Sequence, residues 1–516
     1  IADDELCLDH KGQSDTTFSF GETGLFSWGR IGNVKQQILN RSGDDLRIDW
    51  GYLYLAAKKE NHNAIQIKQI SSEESTDTDS GRLQLTIEFP TASSGEALIA
   101  IAYDDVKSIE YFGKHLDGLW KTDKTPDILT AIAAALNEYN EVSDQCKQFA
   151  QTLYQEAEQW GGYQYAELLS LAYRQVVAAH KLCAGPDGEV LFVSKECYSN
   201  GCAATVDVTY PSSPLFLLYN PELVKGMLRP VLKYAASPDW PFEFAPHDVG
   251  QYPLLNGQVY GDNQLKYQMP VEECGNMLIL MAALSIVENN IDFALEHWPL
   301  LEKWADYLLK TGMDPENQLC TDDFAGHLAH NCNLSLKAIM GIVGYSIMCQ
   351  MKGDQAIAKS YKTKAKRMAD QWLIDAANDD GSFRLAFDQE GSFSMKYNLV
   401  WDKIWGTNIF DLSKFETELS SYLKRSNTYG MPLDNREDYT KSDWLVWCAT
   451  LMDSQSDFEQ MIAPIYAAYN ESSSRVPMTD WYYTSTAEMK GFQNRTVQGG
   501  LFIRLLLEKG NCKFAE

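Results

Sequence analysis

From Met277 to Val287 the chain reads MLILMAALSIV, apolar on nearly every face a helix could present. A surface helix needs only one apolar stripe, so a helix of this composition has to be enclosed by protein on all sides. The stretch 332–352 has the same character, whereas 354–376 is amphipathic. Enclosed helices alternating with one-faced helices are what an inner and an outer ring require. Helices are expected over 127–160, 163–184, 221–236, 271–289, 293–311, 332–352, 354–376, 412–424, 441–453, 455–470 and 496–509, with a short one near 396–405, mostly in consecutive pairs. No repeat of fixed period is visible, which disfavours a superhelical solenoid. The pattern therefore predicts an α/α toroid.

Residues 1–120 read differently. RLQLTIEFP (82–90) and EALIAIAYDD (96–105) alternate or run apolar with β-branched residues, as strands do. The stretch 60–81 reads as a solvated connection, and GETGLFSWGRIG (21–32) as a turn. The expected fold is thus α+β and mainly α: a β-rich, sandwich-like region over 1–120 and a toroid over 121–510. Long loops fall at 186–220, 237–270, 313–331, 377–395, 427–440 and 472–495. Loops carried on a rigid scaffold are where function concentrates.

Net charge is -27, from 44 basic and 71 acidic residues. With no basic patch to neutralise phosphates, this charge argues against nucleic acid and anionic membrane as partners. No segment reads as a membrane span. Ile1 begins inside polar sequence, so an upstream segment is expected to have been removed or to be absent. The eleven cysteines are mostly in apolar helices, but Cys197 and Cys202 flank a YSNG turn and could close a small disulfide loop. Asn40, Asn333, Asn470 and Asn494 begin N-x-S/T triplets, a weak signal. Nothing in the sequence reports oligomeric state.

The loops carry the chemistry. His247, Asp248, Glu272 and Glu273 stand where the loop 237–270 meets the enclosed helix. Their plain alternative is helix capping and dipole compensation for the two glutamates. TDDFAGHLAHN (321–331) holds Asp322, Asp323, His327 and His330, whose spacing matches no metal-ligand signature, so neither metal nor cofactor is expected. Asp434 and Arg436 lie in YGMPLDNREDYTKSDWLVW (429–447), with Asp443 at a helix-capping position. Asp480, Trp481 and Arg495 lie in 476–500, and Trp401, Asp402 and Trp405 in 397–406. The signatures of serine hydrolases, zincins and nucleotide-binding loops are missing. An excess of loop carboxylates remains, suited to hydrolysis by a general base and a general acid.

APHDVGQYP, MPVEECGNMLIL, TDDFAGHLAHNCNLSLKAI, YGMPLDNREDYTKSDWLVW, DWYYTSTAEMKGFQNRTVQGG and TVDVTYPSSPLFLLYNP resemble the glutaminase A family, from about Phe20 to Leu507. The resemblance implies an (α/α)6 toroid of the six-hairpin glycosidase superfamily behind a β-rich N-terminal region. It also implies secretion or a periplasmic or cell-surface location, and hydrolysis of L-glutamine to glutamate and ammonia. The N-terminal region looks shorter than is usual for the family, and the CYSNGC loop is unusual for it.

Roles are assigned on chemistry alone. Glu273 or Asp323 would activate water, and Asp248 or Asp402 would protonate the leaving ammonia. Arg436 or Arg495 would hold a substrate carboxylate and Asp480 the α-amino group. His247, Glu272, Asp322, His327, Asp434 and Trp481 complete the expected small-molecule site. A helix N-terminus would keep Glu273 ionised unless burial outweighs it. The rival reading is a six-hairpin glycoside hydrolase with paired carboxylates. A non-catalytic carbohydrate- or peptide-binding protein is the third.

Overall fold

The computed structural model describes residues 2–3, 16–44, 49–59, 64–70, 82–89, 96–320, 325–474 and 477–514. The chain divides into two compact units, one of residues 1–149, 182–189 and 252–256 and one of 150–181, 190–251 and 257–516.

The first unit is a sandwich. Its strands are β1 (Ala2–Asp3), β2 (Thr16–Glu22), β3 (Phe26–Asn33), β4 (Tyr52–Lys58), β5 (Ala64–Ile70), β6 (Arg82–Glu88), β7 (Ile99–Asp104), β8 (Ile109–Tyr111) and β9 (Lys114–Leu116). Antiparallel sheets β2-β3-β4-β7 and β1-β6-β5 face each other through Ile31, Leu53, Leu55 and Leu83. Side chains alternate across a strand, so β4 turns Leu53 and Leu55 to that core and Tyr54 and Ala56 to the other face. There they meet Phe26 and, from the start of helix α1 (Ile128–Ala178), Ile128, Ile132 and Leu136. Two expectations change here. GETGLFSWGRIG is a hairpin whose turn is held by the Thr23 hydroxyl, accepting from Leu25 and Phe26 amides at 3.1 and 3.0 Å. Ala64–Ile70, inside the stretch read as a solvated connection, is a strand: Ile65 and Ile67 alternate with exposed polar residues, a pattern diluted by its charged neighbours.

The second unit holds the remaining helices: α2 (Val206–Tyr219), α3 (Pro221–Ala235), α4 (Pro270–Glu288), α5 (Asp292–Glu296), α6 (Trp298–Thr311), α7 (Cys332–Lys352), α8 (Gln355–Asp375), α9 (Val400–Trp405), α10 (Glu416–Arg425), α11 (Ser442–Leu451), α12 (Gln455–Glu471) and α13 (Ile503–Lys509). Short 3-10 turns, Tyr397–Leu399 and Thr496–Phe502, lead into α9 and α13. The inner ring runs α2, α4, α7, 397–405, α11 and 496–509, each element packed on the next and the last closing on α2. Outside it lie α3, α6, α8, α10, α12 and the second half of α1, which starts beyond a break at Gly162 (φ 79°). This is the expected (α/α)6 toroid. By length and hydropathy α4 and α7 could cross a membrane, yet both are interior to the ring and almost wholly buried.

The inner helix α2 falls in a stretch read as loop. Pro211 and Pro214 argue against a helix because each removes an amide donor. A neighbouring hydroxyl repairs one of these losses: Ser213 Oγ donates to the Tyr210 carbonyl that Pro214 leaves open (2.9 Å). All of Val206–Leu217 except Asp207 is buried, so tertiary enclosure decides.

Candidate active site

The N-terminal ends of inner-ring elements meet at one rim of the second unit. A cavity of about 230 Å³ opens there, walled by Glu196, Asp207, His247, Tyr260, Lys441, Asp443, Trp444, Phe492, Arg495 and their neighbours. Asp207 is in the first turn of α2 and Asp443 in the first turn of α11. Lys441 precedes α11, in a short strand whose register sets it opposite Trp481. Arg495 immediately precedes the turn 496–502. Helix N-termini favour anions, so the scaffold itself supplies positive potential at this rim.

Asp443 is fully buried, and neither carboxylate oxygen has a hydrogen-bond partner among the described residues. Its nearest cation is Lys441 Nζ at 3.5 Å from Oδ1. Burial lifts its pKa to about 6 against the pull of Lys441. Asp207 is also lifted to about 6, chiefly by burial, with His247 opposing. Its Oδ1 lies 3.7 Å from His247 Nε2. Arg495 Nη2 donates to Glu196 Oε1 at 3.3 Å, while Nε and Nη1 are buried without hydrogen-bond partners among the described residues.

Behind this wall, Asp480 pairs with Lys441 through Oδ2 and with Arg495 Nη1 at 3.6 Å. Burial would raise its carboxyl, but the two cations outweigh it and hold it below the usual range. His247 is clamped from the other side. Its Nδ1 meets Asp248 Oδ2 at 3.0 Å and its ring stacks on Tyr260 at 4.1 Å. Burial alone would lower its pKa, yet the carboxyl groups of Asp207, Asp248 and Glu273 raise it to about 10.

The other expected residues divide. Arg495 and His247 are in the cavity wall. Asp480 is one layer behind it, as counter-ion to Lys441 and Arg495 and not as a binder of an amino group. Trp481 backs Phe492 at 4.9 Å between ring centroids. Asp248 is not available as an acid: it accepts from Gly250, Val259 and Tyr260 amides at 2.8, 3.0 and 3.2 Å as well as from His247. Glu273 is not an ionised base. It is fully buried, and burial with the nearby Asp207 charge drives its pKa well above the carboxylate range, overriding the helix dipole. Glu272 pairs with the buried Lys337 inside the ring. Asp402 closes the turn after α9, accepting from Thr407 Oγ1, Ile409 N and Phe410 N at 2.5, 3.1 and 2.9 Å. Arg436 forks onto Asp434 (Nε–Oδ1 3.0 Å, Nη2–Oδ2 2.6 Å), so its guanidinium is committed within the loop. His327 is exposed. Asp322 and Asp323 lie outside the described residues.

Cys197 and Cys202 are not bridged. The Cys202 sulfur lies within 4.8 Å of His247 and Asp248 ligand atoms, and burial keeps it a protonated thiol. Asp207, His247 and Glu273 also present atoms within 4.8 Å of one another. These two groupings are the ones among the described residues whose ligand-type atoms lie close enough together to hold a cation. Sequence reasoning missed Asp207, Glu196 and Lys441 and took Asp443 for a cap. The signal available was TVDVTYP, whose Asp207 opens an otherwise apolar run.

A closed ring of six helical hairpins with paired acids at one rim defines a six-hairpin protein of hydrolase type. Residues 162–505 match the glutaminase A six helical-hairpin domain, and the chain belongs to that family. Residues 3–156 match a family described as a domain of unknown function, DUF5127. Glutaminase A of Aspergillus oryzae is 32% identical over 431 residues, covering 80% of this chain and 61% of that protein. A probable glutaminase of Arthroderma benhamiae is 28% identical over 485 residues, covering 76% and 55%. The chain thus spans about three fifths of the length of these relatives or less. A metal-independent α-mannosidase of Streptococcus pneumoniae, solved with α-1,6-mannobiose, is 11% identical with a TM-score of 0.48, covering 71% of this chain and 98% of that one.

Proposed function

We propose that this chain hydrolyses the side-chain amide of L-glutamine to L-glutamate and ammonia. The observation that carries the reading is one small cavity faced by two carboxyl groups with pKa values near 6 and by a buried guanidinium whose Nε has no hydrogen-bond partner among the described residues. Its volume, about 230 Å³, is below the roughly 300–1,000 Å³ common for drug-sized ligands, which suits one amino acid better than an oligosaccharide. The names of the relatives point the same way.

In this mechanism Arg495 Nε takes the substrate α-carboxylate as a charge-assisted hydrogen bond. Glu196, beside it, takes the α-ammonium. Asp207, next to the imidazolium of His247, is the base: it removes a proton from water as the water oxygen bonds to the amide carbon. Lys441 stabilises the oxyanion that forms. Asp443 gives its proton to the nitrogen as the C–N bond breaks, releasing ammonia. Positioned acid or base groups typically contribute ~10²–10⁴-fold each.

The aromatic wall of Tyr260, Trp444 and Phe492 favours one rival, hydrolysis of a glycoside at a single sugar ring. One assay separates them. Purified protein is given L-glutamine, L-asparagine, other amino acid amides and aryl glycosides in parallel, with an Asp443→Asn variant as control. Ammonia release from L-glutamine that the variant lacks is the expected result. Turnover of a glycoside without ammonia release would replace the proposal.

A further inference from the structure

Every contact of His247 except one goes to the scaffold. Its amide donates to Gln258 Oε1 at 2.7 Å and its carbonyl accepts from the Val206 amide at 2.8 Å. That second bond ties the His247 backbone to the residue preceding Asp207. Gln258 is itself fixed by Gln268 Oε1 at 2.8 Å and by the Tyr260 carbonyl at 3.1 Å. The ring is held on one face by Tyr260 and at Nδ1 by Asp248, whose carboxylate accepts three main-chain amides besides. Nε2 is left to face the cavity, and Asp207 Oδ1 stands 3.7 Å from it, an ion-pair contact longer than a hydrogen bond. A group fixed at its backbone, one nitrogen and one face presents its remaining nitrogen in a single direction.

We propose that His247 is a positioning residue for the acting carboxylate, with Asp248, His247 and Asp207 forming a relay of orientation in which Asp248 fixes the ring and the ring fixes Asp207. The idea rests on the reading of Asp207 as the base and not on the identity of the substrate. The second observation behind it is the crowding of acids. Asp207 faces Glu196 from the loop before α2, Glu272 and Glu273 from α4, and Arg495 across the cavity. His247 faces Asp207, Asp248 and Glu273, with the thiol of Cys202 close by. Without a cation between them these carboxyl groups would hold protons in common, and Asp207 would lose its charge at the pH where a base is needed. His247 is the cation that the fold places there.

The test is His247→Gln, a ring-sized neutral replacement, assayed on whichever substrate the wild type turns over. The expected result is kcat lowered by about 10–100-fold with KM changed less than about threefold. The acidic limb of the kcat/KM profile should move up by about one pH unit, since removing the cation raises the pKa of Asp207. A merely structural role would lower activity without moving that limb. Because the variant could fail to fold, the wild-type chain labelled with ¹⁵N-histidine gives a second readout among its 8 histidines. One imidazole should stay doubly protonated through pH 8 and lose that state in Asp207→Asn. An unchanged pH profile and kcat in His247→Gln, or no histidine protonated above pH 8, would overturn the proposal. A wild type that releases no ammonia but hydrolyses a glycoside would overturn the glutaminase reading and leave this relay standing.

Discussion

Asp207 and Asp443 face one cavity with carboxyl groups near pH 6, and the reaction proposed for them needs one ionised and one protonated. The base works above its pKa and the acid below its own, so both limbs of the activity profile should lie near pH 6 and the optimum between them. An activity profile still rising at pH 8 would break this assignment. Asp207→Asn and Asp443→Asn should each lower kcat by at least about 100-fold, measured as ammonia release, with the fold retained by circular dichroism. Stability carries its own pH signature. His247 has a folded pKa of about 10, against about 6.5 for an unperturbed imidazole. Its contribution is complete below pH 6.5 and lost as pH rises toward 10. The thermal midpoint should therefore fall over that window, and fall less in His247→Gln. Of the residues expected from sequence, Arg495 and His247 line the cavity. Residue-scale reading from sequence failed for Glu273 because the helix dipole was legible in MPVEE while the depth of burial was not. It failed for Arg436 because its partner, Asp434, was only two residues away and took the whole fork.

The elements that present Asp207 and Arg495 touch through glycine. A Cβ added at Gly499 would lie 2.3 Å from the Ser212 carbonyl oxygen, and one at Gly500 would lie 3.0 Å from that of Pro211. Main-chain atoms of a helix cannot step aside cheaply, so Gly499→Ala should cost about 1–3 kcal/mol of stability by overpacking. It should also widen the cavity between α2 and 496–502, raising KM for glutamine. A variant with unchanged melting temperature and KM would show that the two elements tolerate separation. Within the ring, Lys337→Met leaves Glu272 buried without its ammonium partner. Such half-broken pairs cost about 3–5 kcal/mol, a loss that denaturant unfolding would register. At this scale the sequence was legible wherever periodicity was strong: α4, α7 and α8 fall within two residues of expectation. It was illegible at α2, where Pro211 and Pro214 spoke for a loop and the Ser213 hydroxyl and enclosure favoured the helix.

At the scale of the whole chain, ring closure replaces any local motif. Glu196 and Arg495 are 299 residues apart in sequence yet share one hydrogen bond at the cavity wall. No window of sequence contains both, which is why no catalytic signature could be found by scanning. What was legible was the requirement for a ring, from enclosed helices alternating with one-faced ones, and from it the convergence of loops. Which acids would face inward was not, because that depends on the rotation of each inner helix about its own axis. A net charge of -27 adds a constraint on ligands. An amino acid carrying an extra carboxylate is held here only by local cations, Arg495 and Lys441, and by helix N-termini. Saturating L-glutamate, the proposed product, should therefore slow amide hydrogen exchange together at four separated places: around Asp207, His247, Asp443 and Arg495. The β-sandwich strands of the first unit should exchange as before. Protection limited to one of these four stretches would mean that they do not form a common site, and the catalytic reading would fall with it even if ammonia were released.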